Sequence, residues 1–446
     1  MFLDDLAGQL VALAPDLSDT HLDRAGICVL DALACVYGGR DMPWVAHARA
    51  VADAGGEGAS AVWASGGVRR GTADAVFVNA VGCHALLYED THAESRVHPG
   101  TVVVPVALGV GELVGASVVE TLRAVVLGYE AIAQVAATSL TGDFVDRGWR
   151  ASGVFGPFGA AAAASYLFGS DLPTTVHALG MAASSAAGVC EWARAGTTEV
   201  YFQNASAARA GLTAVLLARA GATGAESAIE GLFGLRRAFG GLSDGPVATV
   251  KPDIRTDRLA VDRTFFKAHP SCALTQEAID AARQLHDQGV DPSMVTSITI
   301  HTSAAAADYP GCDNPSSLAT PITRQMSLQF AVAAALVDGR LEPRRYTGPA
   351  DPVLAGLAAR SEVIVDPVYD EAFPDRRDAR VELVLADGRS AAATSAERVD
   401  LAPAEVVNKF RTHAEQELHQ RVVDDVLDAF VRPGERGVRD LVATLT

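Results

Sequence analysis

Residues Ala151 to Gly169 read ASGVFGPFGAAAAASYLFG, a run without a single charge. A helix of such residues has no polar face to offer water, so other apolar elements must enclose it on every side. The run is long enough to cross a bilayer. Its Gly and Ala content, Pro157 near its start, and the lack of a Leu/Ile block or basic flank mark it instead as a buried helix of a globular protein. The chain around it supplies the cover. Ser18 or Asp19 caps a helix that carries Leu22, Ala25, Val29, Leu33 and Val36 on one face and stops at Gly38-Gly39. Further helices fit Thr72 to Tyr88, Thr101 to Val114 and Ser117 to Leu140. Several are apolar nearly all round, as helices packed among helices are.

With 446 residues the chain exceeds one ordinary core, and two domains are expected. The pattern changes after residue 258. Ser297 to Thr302 alternates with period two, Val363 to Val365 does so more weakly, and Arg380 to Leu385 joins Ser390 to Thr394 through an Asp387-Gly388 turn. Helices at 273–288 and 324–338 lie between these strands. After residue 400 the helical pattern returns, over Ala402 to Glu417 and His419 to Val431. The expected fold is mainly α. Residues 1–258 and 399–446 form one large helical domain from both chain ends, and 259–398 form a smaller inserted α+β lid. A cleft between two such units is the natural ligand site.

The net charge of −18, with no basic run, disfavours nucleic acid and anionic membranes as partners. The opening MFLDDLAGQL lacks a basic region followed by an apolar one, so no secretory signal is read there. The cysteines (Cys28, Cys35, Cys83, Cys190, Cys272 and Cys312) are scattered, form no CxxC and show no zinc spacing, which suits a reducing, cytoplasmic compartment. No P-loop, GxGxxG after a strand, GxSxG or HExxH is present. No cofactor and no metal are expected.

Chemistry concentrates in Asn79 to Gly100, NAVGCHALLYEDTHAESRVHPG. A helix running through Tyr88 puts His84 and Tyr88 on one face. The polar loop that follows, with Asp90, Thr91, His92 and His98, suits acid–base work. The bland alternative is a solvated loop beside a packed core histidine. A second signal is Phe266-Lys267-Ala268-His269-Pro270-Ser271-Cys272. Lys251, Lys267 and Lys409 are the only lysines among 36 basic residues. A lysine can lose its proton when desolvated, and an arginine effectively cannot.

These segments resemble the MmgE/PrpD family. Asn79 to Gly100 is similar to its N-A-x-x-x-H-A-L-x-x-D-D-T-H…H-P-G signature, with Glu89 in place of the first Asp. Arg147-Gly148-Trp149 with Gly153 to Ala164, Phe266 to Ala282, and Met326 to Gly339 resemble three further family blocks. The resemblance spans essentially the whole chain. It implies a homodimer, no cofactor, and a small carboxylate as substrate. It also implies site roles for His98, Lys267, Asp90 and Thr91. Arg150 and Gln276 stand where the family pattern has histidine, and Val200 and Gln203 stand in its K-x-x-H stretch.

Three functions compete. The first is an enzyme that moves a proton next to a carboxylate: a lyase, or an epimerase or isomerase. His98 or Lys267 would be the base, Tyr88 or His92 a second acid, and Arg147, Arg150, Ser271, Cys272 and Gln276 substrate contacts. The second is metal catalysis through Asp90, His92 and His98. The third is a carboxylate-binding protein without activity. Because several helices lack a polar face, the chain is expected to sediment as a homodimer at micromolar concentration; a purely monomeric boundary would refute this.

Overall fold

The computed structural model describes residues 1–241, 250–349, 351–396 and 399–446. The uncharged segment forms the helix Ala151–Leu167, buried at every position through Ser165. It is wrapped by the helices Gly100–Val114, Val118–Ser139, Leu172–Ser184 and Val200–Arg219. Pro157 cannot donate to the Gly153 carbonyl one turn back. That carbonyl instead accepts from Ala187 N at 3.3 Å, so the proline leaves no buried acceptor unpaired. Among the described residues no helix is long and apolar enough to cross a membrane.

Small residues set how closely these helices approach. A Cβ on Gly159 would lie 2.6 Å from Ile132 Cδ1 and 2.7 Å from the Gly128 carbonyl oxygen. A side-chain methyl can shift, but the carbonyl belongs to a buried helix and has nowhere to go.

The C-terminal helices Pro403–Ala414 and Gln420–Val431 pack on the N-terminal helix Asp19–Gly39. Tyr37 meets Phe410 edge-on, and Lys409 donates to Asp31 Oδ1 at 2.8 Å. Between these chain ends in sequence lies a four-stranded sheet in the order Ser361–Val365, Val295–Thr302, Ala379–Leu385, Ser390–Ser395. The first pair is parallel and the other two are antiparallel. The hairpin closes at Asp387-Gly388, where Gly388 takes φ +86° and the Leu385 backbone bonds both Gly388 and Arg389. Helices Gln276–Asp287 and Leu328–Asp338 pack on this sheet.

Two helix spans differ from the sequence expectation. The helix expected to run from Thr72 to Tyr88 ends at His84, so His84 and Tyr88 do not share a helical face. The helix expected over 324–338 is broken at Ser327, whose hydroxyl accepts from Phe330 N and donates to Asn314 O, starting a new helix. The expected lid limit at 398 lies outside the described residues.

Gly159→Val should destabilise the protein by at least about 1–3 kcal/mol, the usual cost of overpacking a core. Urea unfolding of the variant checks this, and an unchanged midpoint would show that the Gly128–Gly159 contact can relax.

Candidate functional site

The end of the Thr72–His84 helix is held by cations from distant parts of the chain. Leu87 adopts φ +51°, a left-handed conformation that a leucine takes only under constraint. Its carbonyl accepts from Lys267 Nζ. The next carbonyl, of Tyr88, accepts from Lys409 Nζ at 2.7 Å, while that ammonium also sits 3.4 Å from the Tyr88 ring centroid. The two lysines take over carbonyls that a continuing helix would have satisfied, and this is why the helix stops short. Lys267 reaches the site because Thr91–His92 pairs antiparallel with Thr264–Phe265.

Glu89 follows at once and is completely buried. Its Oε1 lies 3.0 Å from His84 Nδ1, 3.3 Å from His98 Nδ1 and 3.3 Å from Lys267 Nζ. Burial alone would push its pKa up. The Lys267 charge, followed by His84 and His98, outweighs burial and holds the carboxyl well below the usual range. Its Oε2 has no hydrogen-bond partner among the described residues. Lys267 Nζ has only acceptors around it: Leu87 O, Glu89 Oε1 and, at 3.5 Å, Ser271 O. Three acceptors facing three N–H groups are the surroundings of an ammonium donor.

The same accounting fixes both imidazoles. Arg150 Nη2 approaches His84 Nε2 at 2.8 Å, and a guanidinium can only donate. His84 therefore accepts at Nε2, carries its proton on Nδ1 and donates it to Glu89. His98 Nδ1 lies 3.2 Å from the Asp90 carbonyl, 3.3 Å from Glu89 Oε1 and 3.0 Å from Thr91 Oγ1. The carbonyl and the carboxylate are pure acceptors, so Nδ1 bears the hydrogen and Nε2 is left with a lone pair. Burial and the Lys267 charge press the His98 pKa well below the ordinary histidine value. His98 is thus a neutral imidazole in the tautomer a base requires.

Arg150 is nearly fully buried just ahead of the Ala151–Leu167 helix. It donates to Asn204 Oδ1 as well as to His84, and Asn204 in turn donates to Thr101 Oγ1 at 2.7 Å. No carboxylate pairs with Arg150 among the described residues. His98 stands two residues ahead of the Gly100–Val114 helix, before its N-cap Pro99, and its backbone N donates to Ser152 Oγ at 3.1 Å in the first turn of the Ala151–Leu167 helix. Two long helices therefore start side by side, with their positive ends at the site.

Beside these groups opens a cavity of about 940 Å³, lined in part by Thr91, His98, Arg150, Lys267, Cys272 and Tyr309. The other candidate residues lie outside its lining. Asp90 caps the Gly100–Val114 helix by accepting from Gly100 N, and it accepts from Tyr129 OH at 2.6 Å. Burial and the neighbouring Asp31 push its pKa up to about 7. Tyr88 OH donates to the Ala268 carbonyl, and His92 Nδ1 is bonded to Ser95. Arg147 is tied to Asp143, Thr141 and the Phe239 carbonyl. Ser271 donates to Gln325 O. The Gln276 amide is spent on the backbone of His269 and Cys272. No three His, Cys, Asp or Glu residues among the described residues converge as metal ligands; Asp90, His92 and His98 are directed to separate partners. One sequence reading is corrected: the cysteines are not all isolated, since Cys272 Sγ and Cys312 Sγ stand 3.9 Å apart.

Sequence reasoning did not single out Glu89 as the centre, nor Tyr309 and Asn204. The Glu89 position was visible only as a family variant. Tyr309 follows an Ala-rich stretch that carries no motif.

Residues 7–245 match the MmgE/PrpD N-terminal domain, and residues 269–429 match the MmgE/PrpD C-terminal domain. The chain belongs to the MmgE/PrpD family. Its similar relatives include the cis-aconitate decarboxylase-like protein oryM of Aspergillus oryzae, 28% identical over 76% of this chain and 73% of the relative. The cis-aconitate decarboxylase of Aspergillus terreus is 25% identical over 72% of this chain and 69% of its own. That of Mus musculus is 24% identical over 82% and 77%. Of the three histidines that match the MmgE/PrpD signature, His84, His92 and His98, only His98 lines the cavity.

Two outcomes follow from this geometry. Lys267→Met strands a buried Glu89 charge and should cost about 3–5 kcal/mol of stability. Adding Glu89→Gln should restore part of that loss, and urea melts showing no recovery would mean the two residues are uncoupled. The second outcome concerns acid. Burial pushes His92 and His269 down to about 4, and their Nε2 atoms have no hydrogen-bond partner among the described residues. The unfolded chain protonates these groups near pH 6.5 and the folded one only near 4. Stability should therefore fall as pH drops through that window, by about 1.4 kcal/mol per pH unit for each group. His269→Leu should flatten the slope measured by unfolding between pH 7 and 4.5.

Proposed function

We propose that the chain is a lyase of the dehydratase or decarboxylase type. It moves a proton next to a carboxylate on a small organic acid, without a cofactor, as a homodimer. The observation that carries this reading is His98: its Nδ1 is committed to acceptors, and its Nε2 is open beside a cavity that also holds the uncompensated guanidinium of Arg150. The relatives named as cis-aconitate decarboxylases support the reaction class.

Substrate carboxylate binds at Arg150, aided by the positive ends of two helices. His98 Nε2 takes the carbon-bound proton, Arg150 with the two helix ends stabilises the enolate-like charge that develops, and Lys267 acts through Glu89, which holds the His98 Nδ1 hydrogen. The residues from 259 to 398 act as a lid over the cavity. Tyr309 lines the same cavity, and burial pushes its phenol pKa up, so it stays protonated and can return a proton. That second proton also supports epimerisation or isomerisation as the alternative. Tyr88 and His92, whose polar atoms point elsewhere, are not needed for it.

Of the three positions where family histidine is replaced (Arg150, Gln203 and Gln276), only Arg150 lines the cavity. Its fixed charge shifts the substrate away from that of the relatives, so 2-methylcitrate and cis-aconitate should be poor substrates. A kcat/KM for either in the ordinary enzyme range of about 10⁴–10⁸ M⁻¹s⁻¹ would defeat this part of the reading. The general test is exchange of substrate α-hydrogen with deuterium from solvent across a panel of di- and tricarboxylates. At least one acid should exchange or turn over, and His98→Asn should slow it by about 10²–10⁴-fold. Binding without exchange for every acid would point to a carboxylate-binding protein instead.

A further inference from the structure

Cys272 and Cys312 are forty residues apart in sequence and 3.9 Å apart at sulfur. Their surroundings differ. Cys312 is fully buried, whereas Cys272 lines the cavity and retains some exposure there. Cys272 is anchored in the loop that carries Lys267: its N donates to Gln325 O, and its carbonyl accepts from Thr275 and Gln276. Cys312 is anchored to the turn that carries Tyr309, donating its N to the Tyr309 carbonyl and accepting from Leu328 N. Both backbones are held, and the two sulfurs are already within hydrogen-bond distance of each other.

We propose that Cys272 and Cys312 form an oxidisable dithiol that closes to an intramolecular disulfide when a small hydroperoxide enters the cavity. The Cys272 thiolate attacks the terminal peroxide oxygen; the O–O bond breaks, water or alcohol leaves, and Cys272 becomes a sulfenic acid. The Cys312 sulfur then attacks the Cys272 sulfur, its proton leaves with the displaced hydroxide as water, and the S–S bond forms. Two thiol hydrogens and one hydroperoxide are consumed. Cys272 is the attacking residue on two independent grounds. It is the member of the pair that meets the cavity. It is also the one cysteine whose thiol is pulled below its usual range, by the Cys312 hydrogen bond against the effect of burial and with help from the Lys267 charge. Burial pushes Cys28, Cys35, Cys83 and Cys190 up. The bond would tie the Lys267 loop to the Tyr309 turn, two parts of one cavity wall.

The test uses the whole folded protein, treated with hydrogen peroxide, quenched with maleimide in denaturant and digested with trypsin without reductant. Residues 268–283 and 284–324 form separate tryptic peptides, one for each cysteine. The expected product is these two peptides joined, two hydrogens lighter than their sum and released by dithiothreitol. In Cys312→Ala the reaction should stop at Cys272 sulfenic acid, trapped by dimedone. In Cys272→Ala, Cys312 should remain a thiol. The proposal is overturned if Cys272 stays reduced, if it oxidises no faster than Cys28, Cys35 and Cys83, or if wild type yields dimedone-labelled Cys272 without the crosslink. None of these readouts depends on knowing the substrate.

Discussion

The site depends on a carboxylate that has been taken out of water. Ionised Glu89, with no solvent, would be too costly for any fold of marginal stability. It is tolerable only because one ammonium and two imidazoles meet the same oxygen. Each of those groups is then committed. Lys267 is a donor, His84 is locked neutral between Arg150 and Glu89, and His98 must hold its hydrogen on Nδ1. The reactive nitrogen of the site is a by-product of how one buried charge is satisfied. Removing any one member changes the protonation of the others, so these residues behave as a unit.

The fold around this charge was largely readable in the sequence, because it is dictated by local pattern. The uncharged run, with its Gly and Ala content and its lack of a basic flank, read as a buried helix rather than a membrane span, the Asp387-Gly388 turn read as the close of a hairpin, and the chain's mainly helical character follows from such segments. The site was less readable. Thr91, His98, Arg150, Lys267 and Cys272 do meet at one cavity. Periodicity, however, ran the helix on through Tyr88, because nothing within that segment announces that Lys267 and Lys409 will claim the Leu87 and Tyr88 carbonyls. Asp90, Ser271 and Gln276 have the right chemistry for a substrate and spend it on the backbone or on neighbouring side chains. Residue type shows what a side chain is able to do; its neighbours decide whether any capacity is left over.

Net charge was equally silent about the interior. A chain carrying −18 overall places around one space a guanidinium with no carboxylate partner among the described residues, an ammonium and two helix N-termini. The long-range field of the molecule repels anions, while Arg150 and the two helix N-termini offer a local anion site in a cavity whose lining carries as many acids as bases. Screening reconciles the two. At physiological salt the surface charges fade within about 8 Å, while buried groups are hardly screened.

The Lys409 clamp has a consequence for how the protein is made. Lys409 and Tyr88 are separated by 321 positions. At a synthesis rate of about 5–20 residues per second, the Tyr88 segment waits roughly 15–60 s for its clamp. Through that interval Asp31 and the Tyr88 carbonyl lack the Lys409 ammonium that joins them. A chain cut short before Lys409 would therefore lack the one ammonium that joins Asp31 to the Tyr88 carbonyl.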